Sequence, residues 1–208
     1  MTLGELALLA RHDLAIDASV TVIPAAGWRR AMDFAATGLP FVPPSPNLPT
    51  LESLYHYPGL CLFEGTALSV GRGTDAPFSQ VGAPWLDTAA VLRRLHAVPG
   101  VRFEATTFTP RRPGDGKFPD VTLPGIRLRL LDPARYDPTA AAVELLAAIQ
   151  RVHPDRIGWN ERHFDRLAGG PGLRQQLIAG VEPAAIVRGW AEAVRRFAAR
   201  RQPFLLYP

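Results

Sequence analysis

Only one cysteine, Cys61, occurs in 208 residues, so a single chain forms neither an internal disulfide nor a thiolate metal cluster. Its setting, Leu60-Cys61-Leu62-Phe63, predicts a small buried residue. The histidines, His12, His56, His96, His153 and His163, show no His-x-His or His-x-x-x-His spacing, which argues against a metal site. No apolar run is long enough to cross a membrane, and the first residues lack the pattern of a signal peptide. Neither a P-loop nor a dinucleotide glycine pattern occurs. The net charge is a mild +4, and arginines are scattered among acidic residues, which argues against a nucleic-acid partner.

What is present is an ordinary globular composition, 47% hydrophobic and 20% charged, in a chain long enough for one substantial core. The expectation is a single α/β domain over residues 1–208, with a small mixed sheet and flanking helices. The 21 prolines cluster between Pro40 and Pro49 and between Pro110 and Pro124, where ordered, extended loops are expected. Thr2 and Glu5 have capping-box spacing, so a helix is expected over Met1–Ala10. Short strands are expected at Val20–Ile23, Leu60–Phe63, Val101–Phe108, Ile126–Leu131 and Phe204–Tyr207, the third and fourth pairing with each other. A helical turn is expected at Gly27–Phe34. Helices are expected from Thr50 to a stop at Pro58-Gly59, from Asp87 to His96, and over Thr139–Val152, His163–Ala168, Leu173–Ala179 and Pro183–Arg201.

The segment Pro40–Asp87 has the composition of a polar site. The Leu60–Phe63 strand would deliver Glu64 into a loop rich in glycine and hydroxyls that carries Arg72, with Asn47 and Trp85 on either side. Glu64 reads either as a carboxylate facing a cleft or as an exposed loop acid or helix cap. Arg72, between Gly71 and Gly73, suits a ligand carboxylate, or else pairs with Glu64 or Asp75 and stiffens the loop. Ser69 lies one glycine short of a nucleophile elbow and lacks the helix start that an elbow needs, which disfavours a serine hydrolase. Trp85 reads as the stacking floor of a sugar site or as a core residue. Lys117, between Gly116 and Phe118, reads as a contact for an anionic ligand or as a solvated loop lysine.

The stretches SPNLPTLES, YPGLCLFEGTALSVGRGT and PFSQVGAPWLD, followed by FTPRRPGDGKFP, HPDRIGW, FDRLAGGPGLRQQLIAG and PFLLYP, resemble the NamZ-type exo-β-N-acetylmuramidases. The resemblance spans nearly the whole chain and is to the C-terminal part of that family, whose members are longer and begin with a Rossmann-like domain. Met1–Glu5 looks like the segment that follows that domain. The resemblance implies a glycosidase without a cofactor, acting outside the cytoplasm on muramic acid-containing saccharides. Its active site would lie in a cleft between the two parts, with a catalytic glutamate in the N-terminal part that no position here matches. This chain would supply the opposite wall, with Glu64 as the acidic group and Arg72, Asn47, Ser45, Thr66, Thr74 and Trp85 as substrate contacts. Ala67 and Val70 stand where many members have Asn and Glu. Implied partners are a separate N-terminal catalytic part or a second copy of the chain. The alternative is a non-catalytic carbohydrate-binding domain.

Overall fold

The computed structural model describes residues 1–208, and the fold is mixed α/β. The chain forms two compact units, one from Met1–Pro40 with Gly189–Pro208, the other from Phe41–Arg188.

In the first unit, helix α1 (Leu3–Asp13) begins on the expected capping box: the Thr2 side chain accepts from Glu5 N, and the Glu5 carboxylate accepts from Thr2 N. Glu5 is fully buried, and Arg30 Nη2 donates to its Oε1 at 2.6 Å. Leu206 N donates to the same oxygen at 2.8 Å, so the C-terminal segment is tied to the first helix turn. The strand expected at Val20–Ile23 is irregular backbone, and Gly27–Phe34 contains turns before a short 3₁₀ segment at Ala35–Thr37. The strand expected at Phe204–Tyr207 is likewise absent, because Gln202–Phe204 closes a 3₁₀ turn and the tail engages side chains instead of a ladder. Tyr207 packs edge-on against Trp28, and its hydroxyl oxygen accepts from Ala25 N at 3.0 Å.

In the second unit, helix α2 (Leu51–Leu60) starts at Thr50, whose hydroxyl accepts from Ser53 N. It does not stop at Pro58-Gly59 but runs through them and tightens into a 3₁₀ turn at Cys61–Gly65, so the expected Leu60–Phe63 strand does not form. A short apolar run buried on all sides carries no period, and helix and strand then look alike in sequence. Gly59 lets the helix pack closely there. A Cβ at Gly59 would lie 2.0 Å from the Pro138 carbonyl oxygen, so its absence lets α2 rest directly on α4 (Pro138–Val152). Asp137 caps α4, and Ala141–Gln150 are all buried, which makes this helix the spine of the unit.

The sheet has three antiparallel strands, β1 (Gln80–Gly82), β2 (Val101–Phe108) and β3 (Leu123–Leu130), in the order β1-β3-β2. β2 and β3 pair as expected, with Glu104 opposite Arg127 and Ala105 opposite Ile126. β1 was not foreseen, since three residues cannot display an alternation. Gly82 and Gly125 face each other across the β1–β3 ladder, and a Cβ on either would come within 2.7 Å of the Phe108 ring. Phe63, Phe78, Ile126, Leu128, Leu145, Ile149 and Phe164 fill the core.

Asp87 caps α3 as expected, but α3 (Thr88–Leu92) ends before His96. α5 (Glu161–Ala168) and α6 (Gly172–Ile178) fall where helices were expected. The long helix expected over Pro183–Arg201 is interrupted into α7 (Pro183–Gly189) and α8 (Ala191–Arg201). Gly189 stands at the break, and glycine is a poor helix residue.

One buried polar cluster joins α2 to the segment before α4. His56 is fully buried, its Nδ1 lies 2.8 Å from the Tyr136 hydroxyl, and its Nε2 lies 3.7 Å from Glu52 Oε1. The latter separation is electrostatic contact rather than a hydrogen bond. Burial lowers the His56 pKa, with Glu52 opposing. Folding therefore favours the neutral ring, so this contribution to stability is present above the unfolded histidine value of about 6.5 and is lost as pH falls below it. Urea denaturation midpoints are expected to drop between neutral pH and pH ~5 in the native sequence. In His56→Gln, that part of the slope should vanish.

Candidate functional site

Glu64 sits on the 3₁₀ turn that follows α2, not at the end of a strand. Gly65 permits the turn to press against α5, since a Cβ there would meet Phe164 Cα at 2.6 Å. Thr66 then reverses the chain: its hydroxyl donates to Phe63 O at 2.7 Å and accepts from Leu68 N at 3.1 Å. Two further backbone bonds hold the segment to the α4–α5 connection, Ala67 N to Ile157 O and Asn160 N to Gly65 O.

Arg72 occupies the other end of this loop, between Gly71 and Gly73 with φ of +75° and +78°. Its Nε and Nη2 both donate to Glu64 Oε1, at 2.9 and 2.7 Å. The guanidinium also lies over the Phe78 ring, 5.0 Å from its centroid. The two side chains keep 22% and 19% of their surface exposed, so the pair is held from below and reachable from outside. Glu64 Oε2 and Arg72 Nη1 take no part in this pair, which leaves one carboxylate oxygen and one guanidinium edge for another molecule. Phe78 itself is buried with φ +57°, an uncommon conformation for a non-glycine residue.

The structure thus brings Glu64 and Arg72 together, and the remaining expected site residues are placed around local frameworks. The Thr74 hydroxyl donates to Gly71 O at 2.7 Å and accepts from Ala76 N and Gln80 Nε2, which shapes the turn under Arg72. Ser45 Oγ accepts from Asn47 N at 3.2 Å, and Ser45 O from Leu48 N at 2.9 Å, a turn within the proline-rich connection. Trp85 contacts the His153 ring at 5.2 Å, and His153 Nε2 accepts from Asp87 N. None of these contacts of Ser45, Asn47 or Trp85 involves the Glu64–Arg72 pair. Ser69 is fully buried, with its hydroxyl accepting from Gly71 N, so it is not presented as a nucleophile.

Lys117 departs from both of its sequence readings. Its ammonium turns inward and donates to Thr66 O at 2.7 Å, Leu68 O at 2.8 Å and Glu64 O at 3.4 Å. Burial lowers its pKa, while Asp115 and Glu64 oppose that and Arg72 adds to it. No sequence spacing links Lys117 to a segment some fifty residues earlier, so only the fold reveals the contact. A separate open cavity of about 600 Å³ is lined by Val98, Pro99, Glu144, Pro183 and Val187 among others, and it includes none of the expected site residues.

Residues 55–207 match the family description "Exo-beta-N-acetylmuramidase NamZ, C-terminal", and residues 1–52 match "Exo-beta-N-acetylmuramidase NamZ, N-terminal". The chain belongs to the NamZ exo-β-N-acetylmuramidase family. The opening segment, expected to follow the family's first domain, is therefore matched by the description of that domain. The chain is similar to the peptidoglycan β-N-acetylmuramidase NamZ of Bacillus subtilis (strain 168), 35% identical over 210 residues, covering 100% of this chain and 50% of that protein. Two crystal structures of DUF1343 family proteins from Bacteroides fragilis NCTC 9343 are also similar. One has a TM-score of 0.85 at 24% identity, over 99% of this chain and 56% of that one. The other has a TM-score of 0.69 at 29% identity, over 100% and 55%. The chain spans about half the length of each of these relatives. No helix in it is long and apolar enough to cross a membrane.

Proposed function

We propose that this chain forms part of a glycosidase that releases N-acetylmuramic acid from peptidoglycan fragments, and that the Glu64–Arg72 face is one wall of its substrate cleft. The family and the 35% identity to a peptidoglycan β-N-acetylmuramidase support the reaction class. Hydrolysis of a glycosidic bond takes a carboxylic acid to protonate the leaving oxygen and a second group to assist water or stabilise the oxocarbenium-like transition state. Glu64 supplies one carboxylate, with Oε2 turned away from the arginine; the other group comes from a part of the enzyme beyond this wall. A peptidoglycan-derived substrate favours action outside the cytoplasm.

The observation that carries the reading is the preset guanidinium. Muramic acid differs from glucosamine by a lactyl ether, and hence by a carboxylate. Arg72 is oriented through Nε and Nη2 by Glu64 and from beneath by Phe78, so its Nη1 edge meets that carboxylate without first losing much side-chain freedom. Thr66 and Thr74 shape the two ends of the loop, while Ser45, Asn47 and Trp85 contribute hydroxyl, amide and indole contacts further along the sugar. A charge-assisted contact contributes about 1.5–3 kcal/mol, which predicts a preference of roughly tenfold to a hundredfold for a muramic acid glycoside over its glucosamine counterpart. Titration of both methyl glycosides into the native protein and Arg72→Ala checks this, with the preference expected to disappear in the variant. Equal preference in both proteins defeats the reading. Turnover of a chromogenic muramic acid glycoside by the enzyme containing this chain separates a glycosidase from a module that binds and does nothing more.

A further inference from the structure

We propose that Lys117 is a positioning residue for the Glu64–Arg72 pair, acting through the backbone of the loop that carries them. The inference rests on the proposed cleft wall and deepens it. An ammonium has three N–H donors, and all three converge on carbonyls of one short stretch, those of Glu64, Thr66 and Leu68. With its protons so engaged, Lys117 is not arranged to touch a substrate. What it does is gather alternate carbonyls on one side of the chain, which fixes the direction in which Glu64 leaves the 3₁₀ turn.

A second contact from the same loop reaches the other member of the pair. Arg111 N donates to Gly73 O at 2.8 Å, directly after Arg72. The segment Arg111–Asp120 therefore clasps the site loop near both ends, at Glu64 through Lys117 and at Arg72 through the Arg111 backbone. Holding that clasp has a conformational cost. Arg112, Phe118 and Asp120 take φ of +44°, +51° and +59°, where residues other than glycine are uncommon. Left-handed backbone of this kind persists only when its surroundings over-determine it, and Lys117 lies beside one such residue, Phe118. The ammonium is partly buried, and these three contacts are charge-assisted.

Lys117→Met keeps the length of the stem and removes the donors. The probes are the methyl glycosides of N-acetylmuramic acid and N-acetylglucosamine, titrated into the native protein, Arg72→Ala, Lys117→Met and the double variant. A loosened clasp is expected to lower the preference for the muramic acid glycoside by about tenfold in Lys117→Met, with the double variant losing no more than Arg72→Ala alone. A residue that merely stabilises the fold would lower the melting temperature and leave the preference ratio intact. Should Lys117→Met fail to fold, Lys117→Arg provides the same comparison, because a planar guanidinium cannot direct three donors at three converging carbonyls. An unchanged preference in the folded lysine variant, with Arg72→Ala still losing it, overturns the role of Lys117 and leaves the cleft wall standing. An unchanged preference in Arg72→Ala overturns the cleft wall itself, and the lysine inference falls with it.

Discussion

Glu5→Ala is expected to destabilise the unit formed by Met1–Pro40 and Gly189–Pro208 by about 1–3 kcal/mol, the usual cost of leaving buried hydrogen-bond donors without their acceptor. The Glu5 carboxylate is fully buried and accepts from Thr2 N, both Arg30 terminal nitrogens and Leu206 N. Alanine leaves those donors without an acceptor and Arg30 without a counter-ion. The acid dependence follows from the same geometry. The hydrogen bond from Arg30 leads in lowering the Glu5 pKa to about 2 from 4.5, against the opposing effect of burial. A depressed carboxylate contributes stability that is fully present above pH 4.5 and lost as pH falls towards 2. Protection factors of the α1 amides, each taken relative to its intrinsic exchange rate at the same pH, are expected to fall from pH 6 to pH ~3 in the native protein and to be already low in Glu5→Ala. Amides equally protected in the two proteins would contradict this account.

Gly73→Ala is expected to damage stability and recognition together. Its backbone has φ +78°, and a Cβ there would lie 2.5 Å from Arg111 O and 3.0 Å from Arg111 N. Neither atom is the yielding end of a flexible side chain. Overpacking of this kind costs about 1–3 kcal/mol, with a further ~1 kcal/mol for the left-handed backbone. Gly169→Ala is the internal comparison, because Gly169 also has φ +78° but open space around it. Calorimetric melting should therefore show a clearly larger loss for position 73 than for position 169, and only the former should weaken muramic acid binding. Equal effects at both positions would mean that the contact with Arg111 is unimportant.

These two positions also mark what could and could not be read from sequence. The Thr2–Glu5 capping box, the Asp87 cap and the β2–β3 pair rest on local signals, short spacings and a clear alternation, and all of them stand in the structure. The Leu60–Phe63 strand does not, because burial on all sides erases the difference between helical and extended periods, and the close packing contact, Gly59 on Pro138, is remote in sequence. Likewise the tail at Phe204–Tyr207 looks like a strand until its partners are known to be the side chain of Glu5 and the Ala25 loop. At the site, the glycines flanking Arg72 suit a ligand's close approach in sequence, whereas in the structure the close neighbours are the protein's own Arg111 at Gly73 and Gln80 at Gly71. Lys117 gave no comparable hint, since a lysine between a glycine and a phenylalanine looks the same whether its ammonium is in water or among carbonyls.

The bond from Leu206 to Glu5 joins positions 201 residues apart. During synthesis, α1 leaves the ribosome long before its anchoring amide has been made, whereas Phe41–Arg188 already contains all of its own strands and the spine helix. Phe41–Arg188 can thus consolidate as a unit while the Glu5 carboxylate waits for Leu206. Truncation between Arg188 and Leu206 should accordingly leave Phe41–Arg188 folded and Met1–Pro40 loose, a pattern that limited proteolysis of ribosome-bound chains would make visible.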